Sequence, residues 1–238
     1  MMAVAVSDLH LDQSTAGVDR FDDVSMVIDQ AADYAITRKA DLFIFAGDLT
    51  DPNTVRAHRA VDKLASTYAR LREAGILTFS ISGNHDVIED GSGRTVLDSL
   101  RWLDAGPVIT EPKCIPISVN DDDTIDFHVI ALPFTPSCRN YDPAAFVRSV
   151  GVLRGPVVVL GHLNLEGITP GSETRDLPRG RDVYWPIEAL RECFPGALWL
   201  GGHYHTPQTF EGVRIIGSAV RLRFDEVDGD PGFAVVEW

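Results

Sequence analysis

Five short polar groupings stand where apolar runs end. They are Asp8-Leu9-His10 after "MAVAV", Gly47-Asp48 after "DLFIF", Gly83-Asn84-His85-Asp86 after "ILTFSIS", Gly161-His162 after "PVVVL", and Gly201-Gly202-His203-Tyr204-His205 after "ALWL". Each alone has an ordinary explanation, since Asp-x-His caps turns and Gly-Asp is a common turn dipeptide. Together they resist it. The chain has 7 histidines, and His10, His85, His162, His203 and His205 all fall in these groupings, leaving His58 and His128 elsewhere. Residues two apart on an extended chain face the same side, so Asp8 with His10, and His203 with His205, each present two donor atoms to one place. Imidazole, carboxylate and amide oxygen without thiolate suit Mn²⁺, Fe or Zn²⁺ rather than Ca²⁺. Seven such groups are too many for one ion and suit two, provided a carboxylate is shared. Two ions about 3.5 to 4 Å apart are the usual clamp for in-line displacement at phosphorus.

The elements that must position these groups alternate between β and α. "MAVAVSD" reads as a buried strand, 19–38 as a helix, "DLFIFAGD" as a second strand, 55–72 as a second helix stopped by Gly75, and "ILTFSIS" as a third strand. Such a start implies a parallel sheet with helices on its faces, and the carboxyl ends of parallel strands converge on one edge where ligands bind. Further strands are expected at 114–119, 125–132, 156–160, 197–200, 213–217 and 232–237, with helices near 143–152 and 186–194. Two sheets packed face to face between helices accommodate that count. The stretch 162–185 is polar, interrupted by Gly and Pro, and longer than most connections in compact domains; loops of that length tend to be functional or disordered.

At 238 residues and 45% apolar composition, one domain over 1–238 is expected. No apolar run approaches the roughly 20 residues that span a bilayer, and the N-terminus does not read as a signal peptide, so no membrane partner is expected. Cys114, Cys138 and Cys193 are odd in number and lack C-x-x-C spacing, which fits a reducing cytoplasm. The 21 Lys and Arg against 35 Asp and Glu give a formal net charge of -14, unfavourable to loose attraction for a polyphosphate backbone, although an acidic surface also serves solubility alone.

The five groupings, in this order from Asp8 to His205, resemble the calcineurin-like metallophosphoesterases. The resemblance implies an α/β fold, a four-layer α/β/β/α sandwich with a dinuclear centre on the sheet edge. Carried over position by position, it implies Asp8, His10 and His205 as ligands of one metal, Asn84, His162 and His203 as ligands of the other, and Asp48 as the bridging carboxylate. His85 resembles the family's non-ligand catalytic histidine, stabilising phosphoryl oxygens or protonating the leaving oxygen. Asp86 either orients His85 by a hydrogen bond or caps the turn. Two divalent ions are implied, Mn²⁺ first, with Fe or Zn²⁺ as alternatives.

Within the family, "GGHYHTPQ" at 201–208 and "GSAVRLRFDEVDGDPGF" at 217–233 resemble segments of SbcD-type DNA repair exonucleases. The typical SbcD-type chain continues into a capping domain and a segment that docks an ATPase; this chain has 238 residues, so neither cap nor ATPase partner is expected, while a homo-oligomer stays open. "GDLTDPN" is closer to general phosphodiesterases of the superfamily. The expected activity is therefore a metal-dependent phosphodiesterase acting on nucleic acid, a compact nuclease of the cytoplasm of a bacterial or phage-infected cell. The alternatives are a phosphodiesterase for cyclic nucleotides or other small diesters, favoured by the acidity, and a non-catalytic scaffold, disfavoured because no ligand position is substituted. Arg175, Arg179, Arg181, Tyr184 and Trp185 in the long loop either contact phosphates and stack a base or form an ordinary surface loop.

Overall fold

The computed structural model of the protein describes residues 1–51, 57–88, 94–103, 107–118, 125–134, 142–171 and 185–238. Strand β1 (Met2–Val6) sends Val4 and Val6 into one apolar cluster and Ala3 and Ala5 into another, as period-2 side chains must when both faces of a sheet are covered. A small hairpin, β2 (Ser14–Thr15) and β3 (Val18–Asp19), leads into α1 (Phe21–Arg38); then come β4 (Leu42–Phe45), α2 (Ala57–Glu73) and β5 (Leu77–Ile81). A single 3-10 turn, Asn84–Asp86, and a 3-10 helix, Val96–Leu103, precede β6 (Val108–Ile109), β7 (Lys113–Ile117) and β8 (Phe127–Leu132). The rest comprises α3 (Pro143–Val150), β9 (Val157–Gly161), α4 (Ile187–Cys193), β10 (Leu198–Gly201), β11 (Gln208–Phe210), β12 (Val213–Ile215) and β13 (Ala234–Glu237).

Two larger sheets result. The first has the order β13-β1-β4-β5-β6, with β1, β4, β5 and β6 parallel and β13 antiparallel on β1. The second has the order β11-β12-β10-β9-β8-β7, its inner four strands parallel and its edge strands antiparallel. The helical spacing in α1 and α2 lays Val24, Ile28, Leu64 and Tyr68 against Val4, Val6, Phe43 and Phe45. Ile44, Phe79, Val129, Val158 and Leu200 meet between the two sheets, and Val147 of α3 with Ile187 and Leu190 of α4 cover Ile130, Val159 and Trp199. The layers are α/β/β/α, as expected. Ser7, just after β1, bridges to Ser218, just after β12, so the two sheets are joined at the edge where their parallel strands end.

The differences from the sequence reading lie at boundaries and in short elements. Helix α1 starts at Phe21 because residues 14–19 fold into the hairpin and the Asp19 carboxylate accepts the Phe21 N–H at 3.0 Å. The two- and three-residue strands β6 and β11 are too short to show alternation. The described residues at the two ends of 162–185 are not plain loop: Leu163, Leu165, Ile168 and Trp185 are buried with the α3–α4 cluster, and Leu165 bridges to Trp185. Trp185 therefore belongs to the core and is not available to stack a base. Arg175, Arg179, Arg181 and Tyr184 lie outside the described residues. Among the described residues, no helix is long and apolar enough to cross a membrane.

Candidate metal centre

Each polar grouping follows the carboxyl end of a parallel strand. Asp8 and His10 follow β1, Asp48 follows β4, Asn84 and His85 follow β5, His162 follows β9, and His203 and His205 follow β10. The backbone there is unusual. Asp8, His10, Asp48 and His203 have φ of 50°, 42°, 51° and 82°, left-handed values uncommon outside glycine and tolerated best by short polar residues. Strain of this kind persists only where the surroundings enforce it. Here the neighbouring strand ends do so: Asp8 N–H donates to Gly47 O at 3.0 Å and His10 N–H to Asp48 O at 3.0 Å. Close approach also explains two glycines. A Cβ at Gly83 would overlap the Asp48 backbone and carboxylate, and one at Gly202 would overlap Ser7, Ala46 O and the His162 ring.

The side chains converge into two buried groups. Donor atoms of Asp8, His10 and His205 lie within 4.8 Å of one another, and so do those of Asp48, His162 and His203; those of His10, Asp48 and the partly exposed His85 do so as well, linking the two. Asn84 Oδ1 stands 3.2 Å from His162 Nε2 and 3.0 Å from His203 Nδ1, which adds it to the second group. Asp48 Oδ2 lies between the groups, 3.7 Å from His10 Nε2 and 3.3 Å from His162 Nε2. All six His and Asp members are buried.

Neighbours outside the two groups orient the rings. Ala46 O takes the His162 Nδ1 proton at 2.8 Å, directing Nε2 at Asp48 and Asn84. Asn164 Oδ1 takes the His203 Nε2 proton at 2.6 Å, directing Nδ1 at Asn84, and Glu226 Oε1 holds His205 Nδ1 at 2.5 Å. Hydrogen-bonded outer partners of this kind fix the tautomer of a ligating histidine. Sequence reasoning does not single out Asn164 or Glu226. Asn164 is findable, being two residues beyond His162, whereas Glu226 is 21 residues from His205 and only the fold brings them together.

The electrostatics fit a cation. Burial first, then the Asp48 charge, push the Asp8 carboxyl up, and burial first, then the neighbouring histidines His85, His205 and His162, drive His10 well below its ordinary value. Burial likewise carries His203, helped by the His162 charge, down to about 3, so its ring is neutral and its Nδ1 lone pair faces the Asn84 oxygen. Both ring nitrogens of His10 are buried with no hydrogen-bond partner. A buried imidazole without partners, two carboxylates and facing lone pairs are what a divalent cation satisfies and what water-free burial otherwise makes costly. Burial opposes protonation of His162, but the Asp48 charge overcomes it and lifts His162 to about 9. For Asp48, burial acts upward and the His162 charge, which wins, holds it well below the carboxylate range. A His raised above its unfolded value stabilises the metal-free fold fully below the unfolded pKa, and that contribution fades as pH rises through about 9. A metal must displace this proton, so metal affinity rises with pH across the neutral range.

The GNHD turn is divided between two tasks. His85 presents a side chain 38% exposed at the pocket mouth, its ring centre 4.7 Å from that of His10 and its Nδ1 3.9 Å from Asp51 Oδ2. Asp86 faces the other way. Its Oδ1 accepts the N–H groups of Leu49 and Thr50 and the Thr50 hydroxyl, and its Oδ2 accepts the Gly83 N–H at 2.8 Å. Of the two readings of Asp86, the geometry carries the turn cap, which ties the Asp48 turn to the Asn84 turn. Burial, then the Asp48 charge, push its carboxyl up to about 7. A separate surface cleft lined by Glu188, Arg191, Phe194 and Trp199 contains none of the clustered donors.

The sequence pattern of the calcineurin-like phosphoesterases matches residues 1–207. The chain belongs to that family. It is a hydrolase of phosphoester bonds, from a family that uses two divalent ions, and it carries the two donor clusters just described. No curated protein matches the sequence. Among solved structures, this phosphoesterase is similar to a dimetal phosphatase from Danio rerio, at 11% identity over 92% of this chain and 87% of that one, TM-score 0.52. It is also similar to the protein TT1561 of Thermus thermophilus, at 12% identity over 91% and 89%, TM-score 0.51. The nuclease MPE of Pseudomonas putida aligns at 20% identity over 68% and 62%, TM-score 0.35.

Because Glu226 aims the His205 ring, Glu226→Ala is expected to weaken one of two Mn²⁺ binding steps by about 10- to 100-fold. Glu226→Gln keeps an acceptor and should retain most of the affinity. Calorimetric titration of both variants checks this, and equal losses in the two would remove the orienting role.

Proposed function

We propose that this phosphoesterase is a dinuclear phosphodiesterase, one catalytic domain over 1–238, that cleaves the phosphodiester bonds of nucleic acid in the cytoplasm as an SbcD-like nuclease. The observation that carries the dinuclear reading is the placement of Asp48 Oδ2 between two buried donor groups. The nucleic-acid reading is supported by the "GGHYHTPQ" and "GSAVRLRFDEVDGDPGF" segments, and the cytoplasmic one by three scattered cysteines.

Asp8, His10 and His205 would hold one ion, Asn84, His162 and His203 the other, and Asp48 both, with Mn²⁺ taken first and Fe or Zn²⁺ also suited to this mixed nitrogen and oxygen set. When bound, the ions act as Lewis acids on the phosphoryl oxygens and lower the pKa of water. His85 stands at the open side, relieved of the turn-holding task that Asp86 performs, where its ring reaches a phosphoryl or leaving oxygen, with its Nδ1 3.9 Å from Asp51 Oδ2. Ala46 O, Asn164 and Glu226 keep the histidine tautomers that expose a lone pair to the ions.

The formal net charge of -14 favours a second reading, a small diester such as a cyclic nucleotide, because a small substrate needs no extended basic surface. A panel of single-stranded DNA, duplex DNA, RNA, and 2′,3′- and 3′,5′-cyclic nucleotides, each with Mn²⁺, separates the two. Strand cleavage is expected; turnover of the cyclic compounds alone would replace the nuclease reading with the second.

A further inference from the structure

One wall of the pocket over the donor clusters is built by residues that hold no ion. Gln13 and Arg223 line that pocket beside His10, His85 and His205. They come from two segments that are locked together. Thr15 Oγ1 donates to Leu222 O at 2.6 Å, and Arg20 Nη1 donates to Arg221 O at 2.8 Å. Arg223 opens a turn closed by the Glu226 N–H donating to Arg223 O at 3.3 Å. Glu226 is anchored twice more, by His205 Nδ1 and by the Leu222 N–H at 2.7 Å. The turn is therefore fixed relative to the metal centre. At its tip stands Phe224, 84% exposed.

Two chemical properties of this wall and one of the turn that continues it fit a single ligand. Phe224 presents a flat apolar ring to solvent, which costs free energy unless something covers it. Arg223 brings a guanidinium to the pocket lining of a protein whose net charge is strongly negative. Gln13 Oε1 is a buried acceptor without a hydrogen-bond partner, on the lining of the same pocket. A nucleoside phosphodiester answers all three: its anionic oxygens suit the guanidinium, an N–H of its base or a sugar hydroxyl suits the amide oxygen, and its base suits the ring. A simple alkyl diester answers only the first.

We propose that Gln13, Arg223 and Phe224 form a nucleoside subsite of this centre, with Phe224 stacking on a base of the substrate. The proposal rests on the phosphodiesterase reading and deepens it. It also explains how an acidic protein admits a polyanion: recognition is confined to one nucleotide beside the metals, with Arg223 as the local positive charge.

The test compares thymidine 5′-(4-nitrophenyl) phosphate with methyl 4-nitrophenyl phosphate, which share a leaving group and differ in the nucleoside. In the Mn²⁺-loaded protein, Phe224→Ala is expected to lower the thymidine-to-methyl ratio of kcat/KM about tenfold, through KM, as loss of a stacked base does. Phe224→Trp is expected to restore the ratio. Oligothymidylate and 3′,5′-cyclic AMP, given to the same proteins, separate a strand from a free nucleotide, since the loss falls on the one the site accepts. An unchanged ratio in Phe224→Ala, with both esters hydrolysed, overturns the subsite and leaves the phosphodiesterase reading standing. Hydrolysis of neither ester by the unaltered protein overturns both.

Discussion

Asp48→Ala is expected to reduce Mn²⁺-dependent hydrolysis of bis(4-nitrophenyl) phosphate by about a thousandfold or more, because two bound ions supply several kcal/mol of charge stabilisation in such a displacement. The reason is positional. Asp48 Oδ2 is 3.7 Å from His10 Nε2 and 3.3 Å from His162 Nε2, so its loss strips both donor groups at once, whereas Asp8 or His203 belongs to only one. The same carboxylate accepts the His85 N–H through Oδ1 at 2.8 Å, so alanine also loosens the GNHD turn. Asp48→Asn separates the two effects. It keeps an acceptor for the His85 N–H but loses the charge, and should be nearly as inactive as the alanine variant while unfolding at a temperature closer to that of the unaltered protein. Substantial turnover in Asp48→Asn would show that the shared charge is dispensable.

His85→Ala is expected to fail for a different reason, losing about 10²- to 10⁴-fold in kcat, the usual contribution of a positioned acid or base, while still binding two ions. The structure makes this separation sharp. His85 supports Asp48 through its main-chain N–H, which alanine retains, and its side chain is partly exposed where the clustered aspartates and the other clustered histidines are buried. The loss should be smallest for esters with good leaving groups such as 4-nitrophenolate, which need no proton, and largest for alkyl leaving groups. Equal losses across leaving groups would move His85 from proton donor to stabiliser of the phosphoryl oxygens. Loss of one ion on titration would make it a ligand, a role its 4.7 Å approach to the His10 ring leaves geometrically near.

The layers and the donor set are legible in the sequence for one reason. Long parallel strands such as "LFIF" and "VVVL" are apolar on both faces and end abruptly in Asp, Asn or His, so strand termini and candidate ligands are marked by the same residues. The left-handed φ values at Asp8, His10, Asp48 and His203 are not legible, since the partners around them, such as Gly47 O for the Asp8 N–H, Asp48 O for the His10 N–H and the Asp8 carboxylate for the His203 N–H, come from distant parts of the chain. Asp86 shows the limit of adjacency. Its place beside His85 suggests a hydrogen bond between the two, but its carboxylate turns toward Leu49, Thr50 and Gly83, backbone donors that are invisible in a linear chain. Glu226 and Arg223 lie in a segment whose resemblance is visible and whose work is not, because the contact with His205 depends on β10 and the turn after β12 meeting across the edge of the second sheet. Trp185 reads as a surface aromatic because a polar, Gly-rich and Pro-rich neighbourhood hides the buried bridge to Leu165.

Two donor groups that share Asp48 would hold two ions. Calorimetric titration of metal-free protein with Mn²⁺, repeated in buffers of different ionisation heat between about pH 6 and pH 8, tests it most directly. Two ions per chain are predicted, with protons released on binding and affinity rising with pH, because the metal must displace the proton that the Asp48 charge holds on His162 up to about 9. Saturation at a single ion per chain, or binding of two ions that Asp48→Asn leaves unchanged, would contradict it.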